Sequence, residues 1–361
     1  MEKRIKLFDP IIGTKEEKAI KKVLKSKFWA SGSGVGEVEK FENKMKKFLK
    51  ADECVAVNSG TAALHLALSL IDVKNKEVII PSLSFVSTAN SVLYNHGIPV
   101  FVDVDETSLN LDPNDLKKKI SNKTKAIIPV HFAGLPANMN EITNIAKKNN
   151  LSVIEDAAHA CGSNIGKKKI GTHSPFGCFS FHPVKNLAMP SGGLISINST
   201  NAKKFKKKLN TLRWCGITNR KNSIYDVTDL GWNCYMNEFS AAIGLIQLEK
   251  LNKLNIQRKK IAKKYSENIL LKNKMPFDDG CSYHFYWIRV KNRTKFRNKL
   301  LSKGIETGIH YKPIHTFSFY KSKIDLPITE KVSEEIVSLP THPNLTENEL
   351  EKIIKNVNEF S

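Results

Sequence analysis

GCFSFHPVKNLAMPSGGLISI (177–197) holds two apolar runs, GCFSF and GLISI, on either side of a segment with a single lysine, Lys185. Short apolar runs without polar alternation belong to strands buried on both faces. Five more lie upstream: CVAV (54–57), EVII (77–80), PVFVDV (99–104), AIIPV (126–130) and SVIED (152–156), with helix-like segments between many of them. Seven such runs, rich in Val and Ile, predict an α/β domain over residues 1–245, built on a mostly parallel seven-stranded sheet covered on both faces.

Downstream the patterning changes. NEFSAAIGLIQLEKLNKL (237–254) has the apolar spacing of a long amphipathic helix. YHFYWIRV (283–290) is a strand candidate, Lys295 to Ser302 a short helix, and Asn344 to Phe360 a final helix opened by Thr346 with Glu349 three residues on, a capping box. These elements predict a smaller α+β domain over 246–361. At 361 residues, 41% apolar and 25% charged, the chain has enough core for both without disulfides or metals.

The formal net charge of +22 raises the question of nucleic acid. The lysines are scattered over helix-like segments, among them Lys44, Lys46, Lys47, Lys50, Lys117 to Lys119, Lys203, Lys204 and Lys206 to Lys208, and no nucleic-acid-binding motif accompanies them. Solvated helix faces are the expectation, with no nucleic-acid partner and some attraction for a small anionic substrate. Cys54, Cys161, Cys178, Cys215, Cys234 and Cys281 form no CxxC pair, which suits free thiols in a reducing compartment. MEKRIKLFDP (1–10) has no apolar leader core and no run of 18 apolar residues occurs, so the expectation is a cytoplasmic protein with no membrane partner.

Three segments carry chemistry. Lys185 is flanked by Phe181, Pro183 and Val184, surroundings that desolvate an amine, lower its proton affinity and free it to form a Schiff base. Asp156 ends the strand SVIED, and the carboxyl end of a strand in an open α/β sheet faces the ligand crevice. In SGTAALHLAL (59–68), Gly60, Thr61 and Ala62 sit where a strand gives way to a helix, so their N–H groups and the Thr61 hydroxyl face an anion at the positive end of the helix dipole. Singly, each has an ordinary reading: a capped helix start, a surface ion pair, and for His159 a satisfied core histidine. Together they describe a site for pyridoxal phosphate, with Asp156 keeping the ring nitrogen protonated, Ser180 offering its hydroxyl to the phosphate and His159 within reach of the ring hydroxyl.

With these residues in place, the chain resembles the DegT/DnrJ/EryC1/StrS family of nucleotide-sugar aminotransferases, of the aspartate-aminotransferase fold type I. The likeness covers nearly the whole chain, through PSLSFVSTAN (81–90), PVFVDVD (99–105), VHFAGLPANM (130–139), EDAAHACG, FSFHPVKN, GWNCYMNEFSAAIG (231–244), HYKPIH (310–315) and SLPTHPNLT (338–346). The resemblance implies that Lys185 holds the cofactor, that Asp156 and His159 contact its ring, that Phe85 stacks on it, and that Gly60, Thr61, Ala62 and Ser180 surround the phosphate. It further implies a homodimer with shared active sites, in which Asn233 reaches the phosphate from the neighbouring subunit, and substrate contacts from His310 and Tyr311.

The implied reaction takes nitrogen from L-glutamate and delivers it to a keto group of a nucleotide-linked sugar. Amination of a cyclitol ketone and dehydration of a deoxysugar are the related alternatives, although the 3-dehydratase branch replaces the lysine that is present here. A non-catalytic binding protein on the same fold is the alternative of another class. Four departures bear on the pocket: Ser191 where an acid is usual, Tyr235 where Arg is usual, Asn138 and Asn140 in place of aspartates, and a Gly-rich loop over 29–42.

Overall fold

Each of the seven apolar runs forms a strand of one sheet in the computed structural model, which describes residues 4–320 and 322–361. The strands are β1 (Glu53–Val57), β2 (Glu77–Pro81), β3 (Ile98–Val102), β4 (Thr124–Ile127), β5 (Ser152–Asp156), β8 (Phe176–Ser180) and β9 (Gly193–Ile197), while β6 (Asn164–Ile165) and β7 (Lys168–Lys169) make a small separate hairpin. The order is β1-β9-β8-β5-β4-β2-β3. Pairing is parallel from β3 to β8, and β9 runs antiparallel to both its neighbours.

Strand residues divide between the two faces. Val55, Val57, Val78, Ile80, Ile154 and Ile195 pack under helices α3 (Gly60–Leu68), α4 (Ser87–Tyr94) and α7 (Ala202–Leu212). On the opposite face Cys54, Ala56, Phe179 and Leu194 meet α2 (Glu37–Leu49) and α8 (Glu238–Asn268), and Ile79, Val102, Ile127 and Val153 meet α5 (Pro113–Lys119) and α6 (Met139–Lys148). Both faces are dry, which is why the strands read as unbroken apolar runs; each such Val or Ile contributes about 1.5–3 kcal/mol of burial.

The helix expected over 237–254 continues to Asn268, a span of 31 residues. No Gly or Pro interrupts 245–268, and Leu251, Leu254, Arg258, Ile261, Ala262 and Tyr265 keep one face buried through a stretch that looks polar in sequence. The expected boundary at 245/246 falls inside this helix. Its amino-terminal half packs on α1 (Thr14–Ser26) and α2, and its carboxyl-terminal half enters the core of the smaller unit.

That unit pairs β12 (Tyr286–Arg289) with β13 (Ile336–Leu339) and carries α9 (Arg293–Ser302), α10 (Pro327–Glu335) and α11 (Glu347–Phe360). The capping box of Thr346 and Glu349 opens α11 as expected. The strand expected over 283–290 is shorter, because the His284 amide donates to the Ala133 carbonyl of the large unit (2.9 Å), drawing 283–285 away from the small sheet. The amino-terminal segment joins this core too, through a bridge between Ile5 and Ile305. A third pair, β10 (Ile217–Lys221) and β11 (Ile224–Val227), is an exposed hairpin.

Among the described residues all six cysteines are free, with Cys54, Cys161, Cys178 and Cys281 buried, Cys234 half-buried and Cys215 exposed. No helix among them is long and apolar enough to cross a membrane.

Candidate active site

The carboxyl edge of the parallel strands opens into a cavity of about 490 Å³. Each wall follows from where a strand stops: Asn58 to Thr61 after β1, Ser84 and Phe85 after β2, Val130 after β4, Asp156 at the end of β5, Ser180 at the end of β8, and Ser191 and Gly192 before β9. His310 and Tyr311 close the cavity from the small unit.

Lys185 stands on the connection between β8 and β9. Phe181, Leu187 and Met189 anchor that connection in the core, and the Asn186 amide donates to Asn255 Oδ1 (2.9 Å) and to the Ser282 carbonyl (2.8 Å). The lysine backbone is held by its N–H to the His182 carbonyl (2.8 Å), so its side chain enters the cavity from a rigid base. Surrounding protein desolvates the amine and brings its pKa down to about 8, against the pull of the Asp156 charge.

Asp156 is buried with neutral donors around it. Thr88 Oγ1 donates to Oδ2 (2.8 Å) and the Ala158 N–H to Oδ1 (3.2 Å), while Ser84 donates in turn to Thr88 (2.8 Å). Burial pushes its pKa up, opposed first by the Thr88 hydrogen bond. The residue before it, Glu155, is fixed inside the fold by His131 Nε2 (3.2 Å), the Gly171 N–H (2.7 Å) and the Ser174 N–H (2.8 Å), which locks the end of β5.

His159 Nε2 meets the Tyr311 hydroxyl at 3.0 Å, and its Nδ1 has no partner among the described residues. Burial holds His159 well below the ordinary histidine range and His310 at about 3, so both imidazoles are neutral. His310 Nδ1 is occupied by Ser338 Oγ (2.7 Å).

Gly60, Thr61, Phe85, Asp156, His159, Ser180, Lys185, His310 and Tyr311 thus converge on one cavity as their sequence positions suggested. Ala62 does not line it: the residue is buried and its amide bonds to the N-cap Ser59 Oγ (3.1 Å). Asn233 is exposed outside this cavity, bridged through its backbone to Trp214, with its carbonyl accepting from Asn58 Nδ2 (3.3 Å). Sequence reasoning missed Phe8, Asn58 and Ser84, which line the cavity, and His284, whose Nε2 lies 3.5 Å from Lys185 Nζ. A histidine inside the apolar segment YHFYWIRV was the one available signal for the last of these.

Ser191, Asn138 and the Gly-rich loop have structural roles. Ser191 Oγ donates to the Asn58 carbonyl (2.5 Å), tying the connection before β9 to the turn after β1. Asn138 caps α6 by accepting from the Glu141 N–H (3.3 Å). In the Gly-rich loop, Gly34 has φ +67°, and a Cβ there would lie 1.8 Å from Arg213 Nη2, so only glycine fits against the buried Arg213–Glu42 pair.

The residues present fit pyridoxal 5′-phosphate. A buried carboxylate supplied with neutral hydrogen bonds suits a pyridinium nitrogen, and the 55% exposed Phe85 ring offers an uncovered face at the cavity. Gly60 leaves the start of α3 open: a Cβ there would come within 2.7 Å of Ser180 Cβ, filling the cradle in which phosphate would meet the helix N-terminus.

Known proteins resemble nearly the whole chain. The profile of the DegT/DnrJ/EryC1/StrS aminotransferase family matches residues 10–358. GDP-perosamine synthase of Escherichia coli O157:H7 is 33% identical over 366 residues, 99% of each chain. PseC of Helicobacter pylori, an aminotransferase involved in the biosynthesis of pseudoaminic acid, superposes with a TM-score of 0.93 at 28% identity, covering 99% of both chains. A putative sugar aminotransferase of Streptococcus pneumoniae in its PLP form gives a TM-score of 0.94 at 25% identity, over 99% of this chain and 98% of the other.

Proposed function

Since the chain belongs to the DegT/DnrJ/EryC1/StrS aminotransferase family and is a transaminase whose cofactor is pyridoxal 5′-phosphate, we propose that it aminates a keto sugar carried on a nucleoside diphosphate, with L-glutamate as donor, in amino-sugar biosynthesis. The observation that carries this reading is one cavity in which Lys185 and Asp156 from the sheet meet His310 and Tyr311 from the small unit.

The cofactor, when bound, supplies an electron sink for charge developing at the reacting carbon. Lys185 holds it and, once released, takes and returns a proton at the substrate carbon, a role suited to an amine with pKa about 8. Asp156 would keep the ring nitrogen protonated, His159, held by the Tyr311 hydroxyl, would contact the ring hydroxyl, and Phe85 would cover the ring. Gly60, Thr61 and Ser180 receive the phosphate. His310 and Tyr311 bind the sugar end of the substrate.

The working unit is a homodimer in which Asn233 completes the other subunit's phosphate site. Support comes from apolar residues left in water on one stretch of chain, including Ile224 (79%), Val227 and Leu230 (85%) on and beside the β10–β11 hairpin. The expected compartment is the cytoplasm, in keeping with the six free thiols.

The test is a half-reaction screen. Enzyme aminated with L-glutamate is mixed with several keto-sugar nucleotides, and recovery of the cofactor's visible absorption is followed. A nucleotide-linked keto sugar should restore it fastest. Equal reaction with a free keto sugar or a cyclitol ketone would move the assignment to cyclitol amination.

A further inference from the structure

We propose that His284 is a positioning residue for Lys185: its imidazole Nε2 accepts a hydrogen bond from the lysine amine whenever that amine is free, and so holds it inside the cavity. The inference rests on the reading of Lys185 as the lysine that carries the cofactor.

Lys185 Nζ and His284 Nε2 lie 3.5 Å apart, across 99 residues of sequence. That is the long end of hydrogen-bond distance, as is common for catalytic contacts before ligands tighten them. The imidazole has little freedom to turn away. Its backbone N–H donates to the Ala133 carbonyl (2.9 Å), its carbonyl accepts from Arg258 Nη1 (3.5 Å), and the ring stacks on Phe8 with centroids 5.3 Å apart and planes 18° from parallel. His159 packs beside it at 4.7 Å. Its Nδ1 finds no partner among the described residues, so Lys185 is the polar contact that its ring makes.

Charge favours the same arrangement. Burial and then the Lys185 charge hold His284 well below the ordinary histidine range, so the ring is neutral. A neutral ring with its proton on Nδ1 presents a lone pair at Nε2, which an ammonium or amine N–H can meet. The other titratable groups facing the amine are Asp156 from β5, His159 just beyond it, His182 on the lysine's own connection, and His310 and Tyr311 from the small unit. Burial lowers all three of those histidines and raises Tyr311, leaving Asp156 as the charge that favours the ammonium and His284 as the acceptor beside it.

The experiment uses the whole protein freed of cofactor. Acylation of Lys185 by acetic anhydride is measured against pH by peptide mass spectrometry, giving the midpoint at which the amine becomes reactive. His284→Leu removes the acceptor; His284→Gln places a carbonyl oxygen near the position of Nε2. The expected midpoint is about 8 in the wild type. It should fall by about one pH unit in His284→Leu, because an acceptor that stabilises the ammonium is gone, and stay within a few tenths in His284→Gln. A packing role alone would lower the melting temperature and leave the midpoint in place. An unchanged midpoint in His284→Leu, or an equal fall in His284→Gln, overturns the proposal. If His284→Leu does not fold, His284→Met, with a flexible apolar side chain, makes the same comparison. Borohydride attachment of the cofactor to Lys168 or Lys169 would overturn the cofactor reading instead, and leaves the midpoint comparison standing.

Discussion

Asp156→Asn separates the chemistry of the site from its architecture. Burial raises the proton affinity of Asp156 in the fold above the ordinary value of 3.8, so above its raised folded value the protein carries an ionised group it would hold more easily unfolded. The carboxylate therefore detracts from the stability of the cofactor-free protein at pH 7, and this effect fades as pH falls below its folded value. The asparagine carbonyl can still accept from Thr88, while its amide faces the Ala158 N–H, leaving a donor without acceptor at a cost of about 1–3 kcal/mol. The two changes oppose each other, so the cofactor-free melting temperature should move by less than about 4 °C. Turnover should respond differently. A buried hydrogen bond to a charged partner contributes roughly 1.5–3 kcal/mol, which at tenfold per 1.36 kcal/mol predicts a fall in kcat of roughly 10- to 150-fold. Steady-state kinetics at saturating cofactor, with calorimetry of the cofactor-free protein, reads both. A kcat within twofold of wild type and an intact fold would refute Asp156 as the partner of the ring nitrogen; a collapse of melting temperature would refute the balance of buried charge and lost acceptor.

Three further outcomes are expected. Capture of pyridoxal phosphate requires the neutral amine of Lys185, so its covalent association rate should rise about tenfold per pH unit below pH 8 and level off above it, as followed by stopped-flow absorbance. A rate independent of pH between 6 and 9 would contradict the lowered pKa. Lys185→Ala and Asn233→Ala should each be inactive, yet regain partial activity when mixed as heterodimers; a fully active monomer in sedimentation at assay concentration would exclude shared sites. On the reading that these two small-unit residues bind the sugar, Tyr311→Phe and His310→Ala should raise KM for the keto-sugar nucleotide severalfold with the glutamate half-reaction nearly intact; both line the cavity. Equal losses in both half-reactions would assign these residues to the cofactor.

The sequence by itself determined the strands and pointed to the candidate reactive residues. Ser152–Asp156 and Gly193–Ile197 match their predicted runs residue for residue, because a strand dry on both faces carries apolar side chains on both, Val153 and Ile154 in one and Leu194, Ile195 and Ile197 in the other. Lys185 and Asp156 were legible for a different reason: a lysine between two apolar runs and an acid at the carboxyl end of a strand stand where an open α/β sheet has its ligand crevice. Local signals also announced the cap of α11 by Thr346 and Glu349. The tertiary structure alone decided the strand order, the length of α8, and which further side chains join the site. Polar side chains along 252–264 concealed a buried face whose partners lie in another unit. The Ala62 amide is taken by the Ser59 hydroxyl, a contact that its place at the start of the helix does not reveal. His284 reaches the lysine across 99 residues and Phe8 lines the same cavity from the amino-terminal segment, as Tyr311 reaches His159 across 152 residues. Spacing along a chain reports only neighbours within a turn or a strand; which distant side chains share a dry cavity is set by how the two units pack, and that packing is encoded in no single stretch of the sequence.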